Sequence, residues 1–175
     1  LYGDSGHDKI FGDDGNDVLH GGSDSDTILG GADADTLYGD SGYDTLSGDE
    51  GNDVLYGGND SDTLSGGADA DTLYGDGGYD KLFGGDGNDS IVGGFGNDVL
   101  NGNDGDDTLR GGFGDDTMSG SQGNDSVEGN QGRDKLQGGS GSDTLKGGTE
   151  ADLIRGQGGN DSIQGGDGDD TIFGN

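Results

Sequence analysis

The sequence predicts an all-β fold, a parallel β-roll (a β-solenoid) in which each coil adds one short strand to each of two parallel sheets. Three observations lead to this prediction: a nine-residue repeat without insertions, the confinement of all 46 Gly to four of the nine positions, and one aliphatic residue or Met in each repeat. The chain, residues 1–175, is predicted to form a single continuous roll of about 19 nonapeptide repeats.

The repeat is defined by an invariant Asp, which we place at position six. Position one is always Gly, from Gly3 to Gly174, and position eight is always aliphatic or Met. The β-branched and aromatic residues concentrate at positions seven to nine, as in Thr36–Tyr38. We therefore predict a six-residue turn over positions one to six, followed by a three-residue strand whose central side chain points inward.

The coil length follows from how such short strands are stabilised. A strand of three residues needs a hydrogen-bonded neighbour, which the next coil supplies by stacking on it. One repeat reverses the chain once, and two repeats return it to its start, which gives an 18-residue coil. Residues 12–47 and 48–83 match at 28 of 36 positions, so the duplicated unit is two whole coils. Position eight then forms two thin aliphatic ladders between the sheets.

The composition limits what the chain can bind. It has 38 acidic and 7 basic side chains, a net charge of −31, and only 24% hydrophobic residues, which is typical of disordered sequences unless something neutralises the acids. Nucleic acid and anionic membranes would be repelled, and no apolar run is long enough for direct membrane insertion. The absence of Cys excludes disulfides and thiolate metal sites, and it suits a secreted chain that does not depend on oxidation.

The position-six Asp residues are the candidate metal ligands. Stacked coils place equivalent turns ~4.8 Å apart, where two carboxylates repel by about 1 kcal/mol even at the dielectric of water. A divalent cation between the two carboxylates would replace this repulsion with attraction. Ca²⁺ fits best because it binds a mixture of carboxylate and backbone carbonyl oxygens. Mg²⁺ requires a smaller and stricter octahedral geometry. The pattern lacks the His and Cys ligands that are typical of Zn²⁺ or copper sites. The alternative is an acidic solubilising surface without a ligand.

An 18-residue coil divides these ligands between two edges of the roll. Seventeen gaps separate neighbours, so up to about 17 Ca²⁺ ions would bind, and their +34 charges would nearly cancel the net charge of −31. One edge carries Asp8, Asp26, Asp44, Asp62, Asp80, Asp98, Asp116, Asp134, Asp152 and Asp170. The other carries Asp17, Asp35, Asp53, Asp71, Asp89, Asp107, Asp125, Asp143 and Asp161.

The full motif is G-G-x-G-x-D-x-U-x, where U is aliphatic, with clear copies at Gly84–Val92 and Gly138–Lys146. Along its whole length the chain resembles the RTX (repeats-in-toxin) family of calcium-binding nonapeptide repeats. The resemblance implies a right-handed β-roll. It also implies that a Gram-negative bacterium secretes the chain through a type I pathway. The chain would stay unfolded in the low calcium of the cytosol and would fold on binding calcium outside the cell. The expected function is a folding and secretion module of a secreted bacterial protein.

A structural rod is the alternative function. An adhesin stalk, surface-layer part or filament would assemble through the open ends of the roll or an aromatic face. The chain is predicted to be a piece of a larger protein, with flanking domains or end-to-end self-association as further partners. Catalysis is not expected, because the only histidines, His7 and His20, have no partner pattern and the carboxylates are repeated rather than paired in a cleft.

Departures from the motif carry three further expectations. Asp24, Asp33, Asp60 and Asp69 replace Gly at position four and tolerate left-handed backbone, whereas Glu150 is less suited, so weaker sites are expected around Thr149–Asp152. Substitutions at position two are expected to matter little, because a carbonyl ligand needs no particular side chain. At position nine, an outward-facing ladder is expected from His20, Tyr38, Tyr56, Tyr74 and Val92. Its side chains would either pack on one another across the strands or form a docking face for another domain or subunit.

Overall fold

The computed structural model describes residues Leu1–Gly174 as an all-β solenoid of about ten coils, each formed by two repeats. In this range there are 20 strands in two parallel ten-stranded sheets, and consecutive strands alternate between the sheets. No helix is present among these residues, and hence none that could cross a membrane. The predicted fold class, a parallel β-roll with two short parallel sheets, is confirmed.

The first sheet contains every odd-numbered strand. These are β1 (Tyr2–Ser5), β3 (Val18–Ser23), β5 (Thr36–Ser41), β7 (Val54–Asn59), β9 (Thr72–Gly77), β11 (Ser90–Phe95), β13 (Thr108–Phe113), β15 (Ser126–Gln131), β17 (Thr144–Thr149) and β19 (Ser162–Asp167). The second sheet contains β2 (Lys9–Asp14), β4 (Thr27–Ala32), β6 (Thr45–Glu50), β8 (Thr63–Ala68), β10 (Lys81–Asp86), β12 (Val99–Asp104), β14 (Thr117–Gln122), β16 (Lys135–Ser140), β18 (Leu153–Gly158) and β20 (Thr171–Phe173).

The register between coils is constant. Each strand pairs in parallel with the strand two further along the chain, and equivalent residues of successive coils face one another, as in Leu37 with Leu55 and Tyr38 with Tyr56. Equivalent positions of the repeat therefore form straight columns. The sequence predicted this register, because a slip by one residue would turn the aliphatic side chains out of the core.

The strands are longer than predicted. Strands β2 to β19 each run from position seven to position three of the next repeat. The predicted strand stopped at position nine because positions one to three are polar and Gly-rich. These residues nevertheless pair with the next coil, as Asp13 does with Gly31 and Asp14 with Ala32. The prediction of a six-residue turn is therefore wrong, and the turn is confined to positions four to six.

The hydrophobic core is formed by position eight alone. The inward residues of both sheets form one cluster between the sheets, and those from Leu19 to Ile154 are at most 1% exposed. Ile163 packs against the cluster and is partly buried. Each strand from β2 to β19 thus contributes one side chain to a thin core.

Positions two and four both hold left-handed backbone. All five non-Gly residues at position four have positive φ, including Glu150 at 68°. Substitutions at position two were expected to matter little. Every described non-Gly residue there nevertheless has φ between 67° and 85°, so its backbone must be left-handed. The acid, amide and small polar residues found at position two fit this requirement, because Asp and Asn tolerate the left-handed region best. They are Asp4, Asp13, Asp40, Asp49, Asp76, Asn103, Ser121, Asn130 and Gln157.

Candidate metal centre

The turns form two edges of the roll, each with one column of position-six Asp residues. We call the turns that lead from the first sheet to the second the first edge, and those that lead back the second edge. The first edge carries the ten Asp from Asp8 to Asp170, and the second the nine from Asp17 to Asp161. The structure therefore brings the predicted ligands together as two columns.

Each column is linked by a repeated hydrogen bond. The backbone N–H of one Asp donates to Oδ1 of the Asp one coil later, as Asp44 does to Asp62 at 2.8 Å. Seventeen such bonds, of 2.7–3.1 Å, join every neighbouring pair on both edges. This bond fixes each carboxylate beside the preceding turn. It was not predicted from the sequence, because it depends on the direction in which the side chain points.

The second carboxylate oxygen, Oδ2, has no such partner. In Asp8, and in every column residue from Asp26 to Asp152, Oδ2 is buried without a hydrogen bond. The column residues from Asp26 to Asp152 are themselves only 1–3% exposed. A buried carboxylate oxygen without a partner is costly, so the residues of these columns fit a bound cation.

The invariant Gly at position one makes room for this oxygen. A Cβ atom at Gly57 would lie 2.7 Å from Oδ2 of Asp62 and 2.9 Å from the carbonyl oxygen of Gly75. Similar close approaches occur along both columns, and the position-one Gly residues do not have positive φ. At position one, Gly is therefore required to leave space for the carboxylate and not to allow left-handed backbone.

Backbone carbonyls supply further oxygen atoms beside the columns. Among the described residues, the position-four carbonyls accept no hydrogen bond, and they lie close to the position-four Gly of the next coil, as the carbonyl of Asp24 does to Gly42. No group of three or more His, Cys, Asp or Glu side chains forms a metal cluster in the same part of the chain. The oxygen atoms beside each column are carboxylate Oδ2 and backbone carbonyl oxygens, a set that suits Ca²⁺.

The electrostatics of the columns favour a bound cation. Burial raises the pKa of the column carboxyls from Asp35 to Asp152, and the backbone hydrogen bond partly opposes this effect. For most of them, such as Asp62 and Asp71, repulsion from a neighbouring column Asp raises the pKa further. The pKa rises to about 8 for Asp62 and to about 7 for Asp71, Asp80 and Asp116. Without a cation, these carboxyls would hold protons near neutral pH.

This shift predicts how pH acts on the metal-free chain. Because the carboxyl pKa is higher in the roll than in the unfolded chain, the roll binds more protons between about pH 4 and pH 8. The stability contributed by these protons is present at the acidic end and is lost as pH rises through the folded pKa values. In a chelating buffer we expect more β-sheet circular dichroism at about pH 5 than at about pH 8. Equal signals at the two pH values, with light scattering excluding precipitate, would contradict this expectation.

Position five carries a second column of hydrogen-bonding side chains that was not predicted from the sequence. Its side chains form an outer column that accepts from the next coil, in the direction opposite to the Asp column. On the second edge, Asn88 accepts from the N–H of Asp106, Asp106 from Asn124, and Asn124 from Ser142, at 2.7–2.9 Å. The signal was present in the sequence, since most of the side chains at position five belong to Asn, Asp or Ser.

The predicted outward ladder stacks along the first sheet. Neighbouring ring centroids are 4.4–5.0 Å apart and the planes are within 9° of parallel in the series Tyr2, His20, Tyr38, Tyr56 and Tyr74. Val92 pairs with Tyr74 and continues the column. Nδ1 of His20 lies 3.2 Å from Oδ2 of Asp40. The rings pack face to face on one another, as the packing interpretation expected, and the docking interpretation stays a prediction.

The turn at Glu150 keeps the column intact. The Glu150 carboxylate accepts the N–H of Gly132 at 3.0 Å. Asp152 remains buried, accepting the N–H of Asp134 at 2.8 Å and donating to Asp170 at 3.0 Å. The backbone and the Asp column are therefore regular around Thr149–Asp152. The expected weaker metal site there stays a prediction about calcium affinity.

Comparison with known proteins identifies the repeat. A family model described as the RTX calcium-binding nonapeptide repeat (four copies) matches overlapping stretches that together cover the chain. They are residues 1–28, 11–46, 29–64, 47–82, 65–100, 83–118, 110–145, 119–154 and 146–175. No curated protein matches the chain.

Proposed function

Because the chain belongs to the RTX calcium-binding repeat family, we propose that its two Asp columns hold the calcium and that calcium binding folds the roll outside the cell. The chain is an RTX calcium-binding repeat β-roll domain, and RTX repeats are structural rather than catalytic. The observation that carries the proposal is the unpartnered, buried Oδ2 of the column residues. A divalent cation would supply the positive charge that these oxygens lack.

All 19 position-six Asp side chains, from Asp8 to Asp170, are the proposed ligands. Each would contribute Oδ2, since Oδ1 of those from Asp26 to Asp170 already accepts the N–H of the Asp one coil earlier. The position-four carbonyls would complete an oxygen shell of the kind that Ca²⁺ prefers. With one ion for each of the 17 neighbouring pairs, the proposed upper limit is about 17 Ca²⁺ ions.

Secretion and folding follow from the same chemistry. A chain whose folding needs Ca²⁺ stays unfolded where the ion is scarce and folds where it is abundant, because the binding free energy becomes folding free energy. Extracellular calcium modules typically bind at about 10⁻⁴–10⁻³ M. We therefore propose that this domain crosses the secretion pathway unfolded and folds at the cell surface or beyond, as a folding and secretion module of a secreted bacterial protein.

Equilibrium dialysis against radioactive Ca²⁺ tests the ligand assignment. We expect up to about 17 ions per chain at saturation and half-saturation at about 10⁻⁴–10⁻³ M Ca²⁺, with excess Mg²⁺ displacing few of them. Ca²⁺ is expected to be released at about pH 5, because protons compete for the column carboxylates. A saturating stoichiometry of only one or two ions, or equal affinity for Mg²⁺, would contradict the proposed columns.

A further inference from the structure

Three turns of the second edge are entered through an Asp–Gly step. In each step the Asp is the exposed last residue of a strand, at position three, and the Gly begins the turn at position four. The three steps are Asp14–Gly15, Asp86–Gly87 and Asp104–Gly105, at the ends of β2, β10 and β12. The three glycines have φ of 109°, 137° and 138°, a region of backbone conformation that favours Gly.

An Asp–Gly step reacts with itself when the backbone is free to move. The Gly nitrogen loses its proton and bonds to Cγ of the preceding Asp, and a carboxyl oxygen leaves as water, which closes a five-membered succinimide ring. Water then adds to one of the two ring carbonyls. Addition at the main-chain carbonyl leaves the chain connected through the side-chain carboxyl, which is isoaspartate of unchanged mass. Gly permits the attack because it has no side chain to shield the nitrogen.

The stacked coils hold the nitrogen that this reaction needs. In all three steps the Gly N–H donates to the carbonyl oxygen of the position-three residue one coil later. The donor–acceptor distances are 3.1 Å for Gly15, 2.7 Å for Gly87 and 2.9 Å for Gly105. The nitrogen can lose its proton and turn toward the Asp carboxyl only when the two coils separate. The rate of the reaction should therefore follow the local opening of the roll.

Isoaspartate at these steps would damage the calcium column. It adds one carbon to the main chain, and a column Asp follows three residues after each reactive Asp. In the turn that follows Asp86, the column residue Asp89 accepts the N–H of Asp71 and donates to Asp107, both at 2.8 Å. A longer main chain displaces Asp89 from both partners, so the altered turn loses the register on which the column depends.

We propose that the Asp–Gly steps 14–15, 86–87 and 104–105 are sites of spontaneous isoaspartate formation, and that calcium suppresses the reaction by stacking the coils. This inference rests on the proposed function, since calcium is what stacks the coils at neutral pH. The chain is its own substrate, and water is the only other reactant. A chain kept without calcium accumulates turns that no longer complete the second-edge column, which limits how long it stays competent to fold.

Peptide mapping of the full chain tests this after prolonged incubation at neutral pH in chelator, in millimolar Ca²⁺ or in millimolar Mg²⁺. Electron-transfer fragmentation distinguishes isoaspartate from Asp. We expect at least about tenfold more isoaspartate at the three steps in chelator than in Ca²⁺, because coils that open rarely react rarely. Mg²⁺ should protect little. Glu50–Gly51 is the internal control, since Gly51 donates to Ala68 at 3.3 Å in the same way but Glu would need a six-membered ring. It should stay unmodified.

Asp86→Glu is the matched variant, because it keeps the charge and removes one reactive step. It should lose isoaspartate at residue 86 alone, and after incubation in chelator it should recover more calcium binding than the natural sequence. Equal isoaspartate with and without Ca²⁺, in a chain that circular dichroism shows to be folded by Ca²⁺, would overturn the inference. So would the absence of isoaspartate from all three steps in chelator. If Ca²⁺ does not fold the chain, the proposed function itself fails.

Discussion

Without calcium at neutral pH, the chain is expected to be unfolded, and millimolar calcium is expected to fold it into the roll. The reason is the arrangement of charge. The column Asp residues from Asp26 to Asp152 are 1–3% exposed, and in the unliganded roll each must either ionise beside another carboxylate or take up a proton. Each ionised pair repels by about 1 kcal/mol even at the dielectric of water, and there are 17 neighbouring pairs. A typical domain is stable by only about 5–15 kcal/mol.

The core offers little to oppose this repulsion. Only position eight is buried and aliphatic, so one side chain in each repeat meets its counterpart from the facing sheet. Hydrogen bonds between coils fix the register but contribute modestly to net stability. Calcium must therefore supply a large part of the folding free energy, and apparent stability should rise with calcium concentration.

Far-ultraviolet circular dichroism during a Ca²⁺ titration from a chelating buffer measures this effect. We expect a disordered spectrum at the start, a cooperative rise of β-sheet signal by millimolar Ca²⁺, and a return to disorder when chelator is added. Mg²⁺ at the same concentration is the control and should produce little β signal. A chain that is already folded in chelator at neutral pH, or that stays disordered at millimolar Ca²⁺, would refute the calcium-coupled folding proposed for this domain.

The substitution with the largest expected effect removes one column carboxylate. Asp89 accepts the N–H of Asp71 and donates to Asp107, both at 2.8 Å, so Asp89→Ala disturbs both of its neighbours on the second edge. We expect the calcium stoichiometry to fall by about two ions and the local coils to lose protection. Because each coil contacts only its neighbours, exchange should quicken near residues 71–107 and remain slow in distant coils.

Two further variants distinguish the loss of a calcium ligand from the loss of a hydrogen-bond acceptor. Asp89→Asn keeps an oxygen that can accept the N–H of Asp71 but removes the charge, so it should lose calcium nearly as Asp89→Ala does. Asp86→Ala removes the same charge from an exposed position on β10 and should lose little bound calcium. If Asp89→Asn binds like the natural sequence, the carboxylate is a structural acceptor rather than a calcium ligand. Unfolding of the whole roll by Asp89→Ala would contradict the nearest-neighbour behaviour.

Much of the fold and the site could be predicted because the repeat is strictly periodic. The period of nine determines the parallel register, the inward ladder and the two Asp columns. The strand length could not be predicted in the same way. Residues such as Asp13 and Asp14 have poor β-propensity, but stacking on Gly31 and Ala32 of the next coil pairs them. Tertiary contact overrides the local preference there.

The linear repeat was enough to establish which residues share a column, because equal spacing in the chain becomes equal position in every coil. It also established the excess of negative charge and the class of ion that could neutralise it. How each carboxylate is used emerges only when the coils are stacked. Stacking turned Oδ1 toward the N–H of the preceding coil and left Oδ2 buried against a Gly. These features depend on the directions of side chains across stacked coils, which a linear repeat does not contain.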